Sequence, residues 1–159
     1  MNNNNIIIDF IKKYTFGEMI DKLSKDSTLS FYNKGKLYFK RNGKFLTCDY
    51  NSDMCEVVHS EIMKFNEEIT NSIFFETNFY VSSVVFETTI SEVKKYLLKG
   101  YIIMLAVNNN TWTLELEDNV VFLDYSEVPG ATEENYKSIF TDDILISFIE
   151  GQWFVIDTD

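Results

Sequence analysis

The chain has 159 residues with a formal net charge of −11, and 45% of its residues are hydrophobic and 16% aromatic. That composition supplies enough apolar material for a folded core, so it excludes disorder as the main state of the chain. Because a negative field of this size repels nucleic-acid backbones and anionic lipids, we expect no general binding to nucleic acid or to a membrane.

The amino-terminal segment precedes the first predicted helix. Residues 1–5 carry no positive charge, and the apolar run at residues 6–8 stops at Asp9. This pattern differs from a secretory signal, and no apolar run in the sequence approaches the roughly 20 residues that cross a bilayer. Because the sequence also has only two cysteines, we expect a cytoplasmic protein with reduced thiols.

The first helix is predicted to begin at Thr15. The sequence Thr15-Phe16-Gly17-Glu18 matches a capping box, in which the threonine hydroxyl and the glutamate each bind a free amide of the first turn. Apolar residues then recur at helical spacing. Strands are predicted next at residues 29–32, 36–40 and 45–50, separated by the turns Asn33-Lys34-Gly35 and Arg41-Asn42-Gly43. Residues 51–66 show no strong pattern, and a closing strand is predicted at residues 74–81.

The same order of elements returns 74 residues later (89 − 15 = 74). Thr89-Ile90-Ser91-Glu92 repeats the capping box, and Gly100 is placed to end the second helix in the left-handed conformation. Thr141-Asp142-Asp143 has the composition of a cap for a short helical turn. Strands are predicted at residues 101–107, 111–117 and 120–125, residues 126–140 show no strong pattern, and a closing strand is predicted at residues 148–155.

This repetition predicts two domains, residues 1–81 and residues 82–159. The predicted fold class is α+β, with one helix packed on an antiparallel sheet in each tandem copy. Because a unit of this size is only marginally stable alone, we expect the two copies to pack as a pseudo-dimer with a shared seam.

Few residues could carry catalysis. His59 is the only histidine, and Cys48, Cys55 and His59 do not have the spacing of a zinc site. Cys55 and His59 could form a nucleophile pair, but an exposed histidine beside an inert thiol is the commoner arrangement. Asp142 and Asp143 could hold a cation or cap a helix. We therefore expect no enzyme activity, no metal and no cofactor.

Aromatic residues on the predicted strands are candidates for a ligand site. Trp112, Trp153 and Tyr125 have polar tips and could line a pocket at the seam, where a planar ligand would stack. The alternative is that they pack in the core. Lys95 and Lys99 lie four residues apart on one side of the second helix, so they and the amides at its start could contact phosphate oxygens.

A further pattern joins the second helix, the tryptophan strand and the closing strand. Its residues are Ile90, Leu97, Gly100, Trp112, Asp143-Ile144-Leu145 and Trp153-Phe154-Val155. In this pattern the chain resembles the small phage proteins of the Thoeris anti-defence family, which are cyclic-nucleotide sponges. Members usually have an aspartate where this chain has Gln152. The resemblance implies a phage protein in the cytoplasm of a host bacterial cell, and it adds Asp143 to the ligand-binding residues.

Two functions are expected from these patterns. The resemblance implies that the protein binds and sequesters a small cyclic nucleotide immune signal, such as a cyclic ADP-ribose isomer, without cleaving it. The alternative is an acidic inhibitor that mimics nucleic acid and binds a host protein directly, as some anti-CRISPR proteins do. The net charge of −11 supports this alternative, but the carboxylates lie mostly at turns rather than in clustered rows, which favours the first function. The expected partner is thus a small nucleotide ligand or a basic host protein, and homo-oligomers remain open.

Overall fold

Strands dominate the structure. The computed structural model describes residues 6–51, 57–107, 110–118, 120–124, 126–127 and 152–158. By compactness the chain divides into unit 1, residues 1–83, and unit 2, residues 84–159. The α-helices among the described residues are short, with ten, four and six residues.

Unit 1 is an antiparallel sheet with two helices in its described part. In chain order the elements are β1 (Tyr14–Thr15), α1 (Phe16–Lys25), β2 (Ser30–Asn33), β3 (Lys36–Arg41), β4 (Lys44–Asp49), β5 (Val57–Ile62), α2 (Glu67–Thr70) and β6 (Ile73–Thr77). The order across the sheet is β1-β6-β2-β3-β4-β5. The first helix and the three strands that follow it are confirmed, whereas the predicted closing strand ends early, at Thr77.

Two hairpin turns fix the register of β2, β3 and β4. Lys34 and Gly35 have φ angles of 45° and 80°, and Asn42 and Gly43 have φ angles of 53° and 73°. Positive φ at both central residues defines a type I′ turn, whose twist matches that of the flanking strands. The hairpins predicted from the Asn-Gly and Lys-Gly sequences are therefore confirmed.

The first helix begins at its predicted cap. Thr15 Oγ1 accepts from the Glu18 amide at 3.2 Å, and Glu18 Oε1 accepts from the Thr15 amide at 3.1 Å. One side of α1 then packs on the sheet, where Met19 and Leu23 are fully buried. The other buried members of this core are Tyr14, Phe31, Tyr38, Met63 and Phe74.

Unit 2 repeats a sheet with a short helix. Its described elements are β7 (Ser83–Thr88, whose first residue belongs to unit 1), a 3-10 turn (Ile90–Glu92), α3 (Val93–Leu98), β8 (Ile102–Val107), β9 (Asn110–Glu117), β10 (Val120–Leu123), β11 (Ser126–Glu127) and β12 (Gln152–Thr158). The strand order is β7-β12-β8-β9-β10-β11. The strands predicted after the second helix are confirmed. Of the predicted closing strand, residues 152–155 lie in β12 and residues 148–151 lie outside the described residues.

The start of the second helix differs from the prediction, and its end agrees with it. The Thr89 side chain makes no capping bond, so the second capping box is wrong. The physical reason is a competing partner, because the Thr89 hydroxyl is bonded to the Ser91 hydroxyl at 2.9 Å, while Thr88 Oγ1 donates to Glu92 Oε2 at 3.0 Å. Gly100 has a φ of 85°, which confirms the left-handed stop.

The two units have corresponding strand orders. In each, the strand before the helix lies beside the closing strand, which pairs with the first strand after the helix. A three-stranded meander then follows in both, as β2-β3-β4 and as β8-β9-β10. The local pattern that recurs in the sequence is thus accompanied by a recurring topology.

The predicted fold class is wrong. It assumed one helix packed on a sheet in each of two copies, whereas strands make up most of the described residues and the helices among them are few and short. The stability of a short helix comes mostly from packing rather than from its own sequence, so the local pattern did not show that strands would dominate.

Four strands were not predicted. β5 and β11 lie within residues 51–66 and 126–140, where no strong pattern was found, β1 precedes the first helix, and β7 follows the predicted closing strand. Val84, Val85 and Phe86 on β7 are buried. A short continuous apolar run of this kind does not distinguish a buried strand from other buried segments.

Candidate functional site

The two tryptophans lie in one row across unit 2. Trp153 on β12 is directly opposite Leu105 on β8, and Leu105 is directly opposite Trp112 on β9. Directly opposed residues of antiparallel strands have their side chains on the same face of the sheet. The structure therefore brings Trp112 and Trp153 onto one face, two strands apart.

That face is the core of unit 2. Trp153 is 3% exposed and Leu105 is fully buried, whereas Trp112 is half-buried. The neighbouring row on the same face, Val155, Ile103 and Leu114, is also fully buried. The indole of Trp153 is thus placed for core packing, and Trp112 is the tryptophan that keeps contact with solvent.

The two predicted lysines lie on the surface near α3. Lys95 and Lys99 are both exposed, and Lys95 Nζ is 5.4 Å from the centroid of the Tyr96 ring. The start of the helix is poorly suited to an anion, because the Glu92 amide already donates to the Thr89 carbonyl at 3.0 Å. The Glu92 carboxylate adds negative charge at the same place, so the predicted phosphate contact with these amides loses its support.

Several predicted residues fall outside the described part of the chain. They are Cys55, Tyr125, Asp142 and Asp143. The roles predicted for them stay predictions.

His59 and Cys48, the described residues with possible nucleophilic chemistry, lie on the neighbouring strands β5 and β4. His59 is exposed on β5, and Cys48 is buried on β4, where burial raises the pKa of its thiol to about 12. A thiol in that environment stays protonated at neutral pH and is a poor nucleophile. Within the described residues, no group of three or more His, Cys, Asp and Glu side chains is arranged to hold a metal ion. The described helices also include none that is long and apolar enough to cross a membrane.

Negative charge is concentrated in unit 2. Unit 1 contains 10 Lys and Arg against 11 Asp and Glu, a net charge of −1, whereas unit 2 contains 4 against 14, a net charge of −10. Nearly the whole net charge of −11 therefore belongs to residues 84–159. The domains predicted from the sequence, residues 1–81 and 82–159, have the same two net charges, because Ser82 and Ser83 are uncharged.

Carboxylates line the side of the unit 2 sheet opposite its core. Leu114 points to the core, so Thr113, Glu115 and Glu117 on β9 project to the other face. On this face Thr113 is directly opposite Met104, which is directly opposite the half-buried Phe154. We call Met104, Thr113, Glu115, Glu117 and Phe154 the outer face of unit 2; it combines half-buried apolar groups with two glutamates.

Unit 1 has an exposed loop that carries apolar and positively charged side chains. Residues 9–13 form an exposed loop, which we call the N-terminal loop, and it includes Phe10, Ile11, Lys12 and Lys13. Phe10 and Ile11 are 58% and 95% exposed. The sequence shows these residues as an ordinary mixed segment, and only the structure shows that its apolar side chains face solvent.

No protein-family profile, no curated protein and no solved structure matches this chain. The resemblance to the Thoeris anti-defence family therefore stays a prediction.

Proposed function

We propose that this protein is a binding protein whose acidic unit 2 binds a basic surface of a partner protein. The observation that carries the proposal is the net charge of −10 on residues 84–159, beside −1 on the rest of the chain. A domain with that field attracts positively charged surfaces and repels nucleic acid, so it favours basic partners over others.

The arrangement of the carboxylates supports the proposal. Glu115 and Glu117 are two residues apart on one strand, which places their backbones about 6.8 Å apart on one face. Asp118 follows them at the turn and is exposed. Regularly spaced carboxylates on a sheet face are what a mimic of a nucleic-acid backbone requires, and a groove that binds phosphates would accept them.

The experiment compares partner capture by the wild type and by two charge-reversal variants. The Glu115→Lys/Glu117→Lys variant changes the outer face of unit 2, and the Glu61→Lys/Glu68→Lys variant makes the same change of net charge on exposed positions of unit 1. Quantitative mass spectrometry of proteins captured from a bacterial lysate should show basic proteins that are lost with the first variant and kept with the second. Short duplex DNA should compete for them, and capture should weaken with salt.

Capture that is equal for all three proteins, or insensitive to DNA, would contradict the proposal. Equal loss with both variants would indicate a general effect of net charge and would also count against it. Far-UV circular dichroism of each variant checks that the sheet is retained.

A second candidate is sequestration of a small cyclic nucleotide, as the Thoeris resemblance implies. Trp112 supports it, because its indole is only half-buried in a unit whose helix carries the exposed Lys95 and Lys99. A ring of this kind stacks on a base with about 1–3 kcal/mol. Calorimetric titration of cyclic ADP-ribose isomers and cyclic dinucleotides into the wild type and into Trp112→Ala tests the candidate. Heat with the wild type that disappears in the variant would support it, and no heat with any ligand would dismiss it.

A further inference from the structure

The N-terminal loop interrupts strand pairing along β6. Ile8 bridges Thr77, and Tyr14 pairs with Phe74. The amino-terminal segment advances six residues from Ile8 to Tyr14, whereas β6 covers the same distance in three residues, from Phe74 to Thr77. The three extra residues leave the plane of the sheet as a bulge, and bulges of this kind re-aim side chains at sheet edges.

The bulge presents two large apolar side chains to solvent. The Phe10 ring is held against Tyr32 and Phe75, with centroid distances of 6.0 Å and 5.1 Å. Ile11 beside it is 95% exposed, and its amide donates to Asp9 Oδ1 at 2.9 Å, which fixes the turn. Adjacent exposed apolar side chains on a defined turn are typical of a protein interaction site.

The charge of the N-terminal loop indicates which kind of surface it would bind. Lys12 and Lys13 follow Ile11 and are exposed, and Lys12 Nζ lies 5.1 Å from the Tyr14 ring centroid. An apolar pair followed by two ammonium groups fits a surface with apolar groups and carboxylates. The outer face of unit 2 has that composition, with Met104 and Phe154 beside Glu115 and Glu117.

We propose that the N-terminal loop of one copy binds the outer face of unit 2 on a second copy. The contact is heterologous, because two different surfaces meet, and it adds copies head to tail. Although each copy has a net charge of −11, salt at physiological strength screens charges beyond about 8 Å, so the local attraction at the contact dominates. The proposal does not rest on the function proposed above, although both use the outer face.

The test is the mass of the purified protein in solution, measured by sedimentation velocity over a series of concentrations at about 0.15 M and about 1 M salt. The weight-average mass should rise with concentration at about 0.15 M salt, where the repulsion between copies is screened, and fall at about 1 M salt, where the contact itself is screened. A wild type that stays monomeric at every concentration would overturn the proposal, and so would association that does not change with salt.

Two variants separate the two halves of the contact. The loop variant is Ile11→Ser/Lys12→Glu/Lys13→Glu, and the face variant is Glu115→Lys/Glu117→Lys. Each alone should associate at least about tenfold more weakly than the wild type. Mixed together they should form a one-to-one complex, because the face variant keeps an intact loop and the loop variant keeps an intact face. Absence of that mixed complex, while the wild type still associates, would rule out a head-to-tail contact.

Control variants keep the result interpretable. Lys64→Glu changes an exposed lysine elsewhere in unit 1 and should associate like the wild type. Ile11→Ser alone removes a side chain that is 95% exposed, so it should weaken association without loss of folding. Unchanged association in Ile11→Ser would count against the loop. Because no partner protein is present, failure here leaves the capture experiment of the proposed function unaffected.

Discussion

Trp153 and Trp112 lie on the same face of unit 2, each directly opposite Leu105 on the strand between them. The strand spacing of about 4.8 Å puts their backbones about 10 Å apart. Their environments differ, because Trp153 is 3% exposed whereas Trp112 is half-buried. Two residues that the sequence presents as equivalent candidates for stacking therefore have different expected roles.

Truncation of the two tryptophans should separate those roles. Trp153→Ala should lower the free energy of unfolding by about 3–5 kcal/mol, because it empties a space between buried neighbours. Trp112→Ala should cost less, since part of its surface is already hydrated. Urea denaturation followed by circular dichroism measures both. An equal loss of stability in the two variants, or a larger loss in Trp112→Ala, would show that Trp112 is buried at least as deeply as Trp153.

The two threonines at the helix starts should respond differently to removal of their hydroxyls. Thr15→Ala should destabilise the protein by about 1 kcal/mol, because the Glu18 amide loses the acceptor 3.2 Å away. Thr89→Ala should stay within about 0.5 kcal/mol of the wild type, since the Thr89 side chain makes no capping bond. Thermal unfolding of both variants checks this, and a large effect of Thr89→Ala would indicate a second capping box after all.

The glycines of unit 1 offer a matched pair of alanine substitutions. Gly43→Ala should destabilise by about 1–2 kcal/mol, because Gly43 has a φ of 73°, where a Cβ atom crowds the backbone. Gly17→Ala should stabilise by about 0.4–1 kcal/mol, because this position lies in α1 and an added Cβ meets nothing within 4 Å. Denaturant midpoints measure both, and effects of the same sign would be inconsistent with the observed turn.

Burial of Cys48 predicts a loss of stability at high pH. Burial raises the pKa of this thiol to about 12, and the nearby Asp49 carboxylate acts in the same direction. An unfolded thiol ionises near pH 8.5, so between about pH 8.5 and pH 12 the unfolded state loses a proton that the folded state keeps. This contribution to the free energy of unfolding is fully present below pH 8.5 and decreases as the pH rises through that window.

The measurement is the slope of stability against pH for the wild type and for Cys48→Ala, both in a Cys55→Ser background. The wild type should lose stability more steeply than Cys48→Ala across alkaline pH. In the same background, the Cys48 thiol should react with a disulfide reagent only as fast as the protein opens. Rapid reaction in the folded state, or identical slopes, would show that Cys48 is not buried as described.

Features governed by a few neighbouring residues were predictable. The Thr15 capping box, the turn at Asn42 and Gly43, and the stop at Gly100 all depend on hydrogen bonds or φ angles within one turn of chain. The box at Thr89 failed although its sequence fits, because the Thr89 hydroxyl is bonded to the Ser91 hydroxyl instead. Local patterns are reliable where no neighbour competes for the same group.

Features governed by distant contacts were not predictable. Ile11 and Leu105 are both aliphatic, yet one is 95% exposed and the other fully buried. Burial depends on what the rest of the chain places against a side chain, and neither residue's neighbours in sequence specify that. The same reason explains why Trp112 and Trp153 could not be distinguished in advance as half-exposed and core.

The sequence by itself determined the hairpins, the first helix with its cap and the meander in each unit, because each of these is specified by interactions between residues close along the chain. It also determined the total charge of −11. The tertiary structure alone decided how the strands of each unit are ordered, that Trp153 is buried whereas Trp112 is half-buried, and that Phe10 and Ile11 face solvent. These properties depend on strand pairing and packing between residues far apart in sequence, where many arrangements satisfy the same local preferences and only the folded chain selects one.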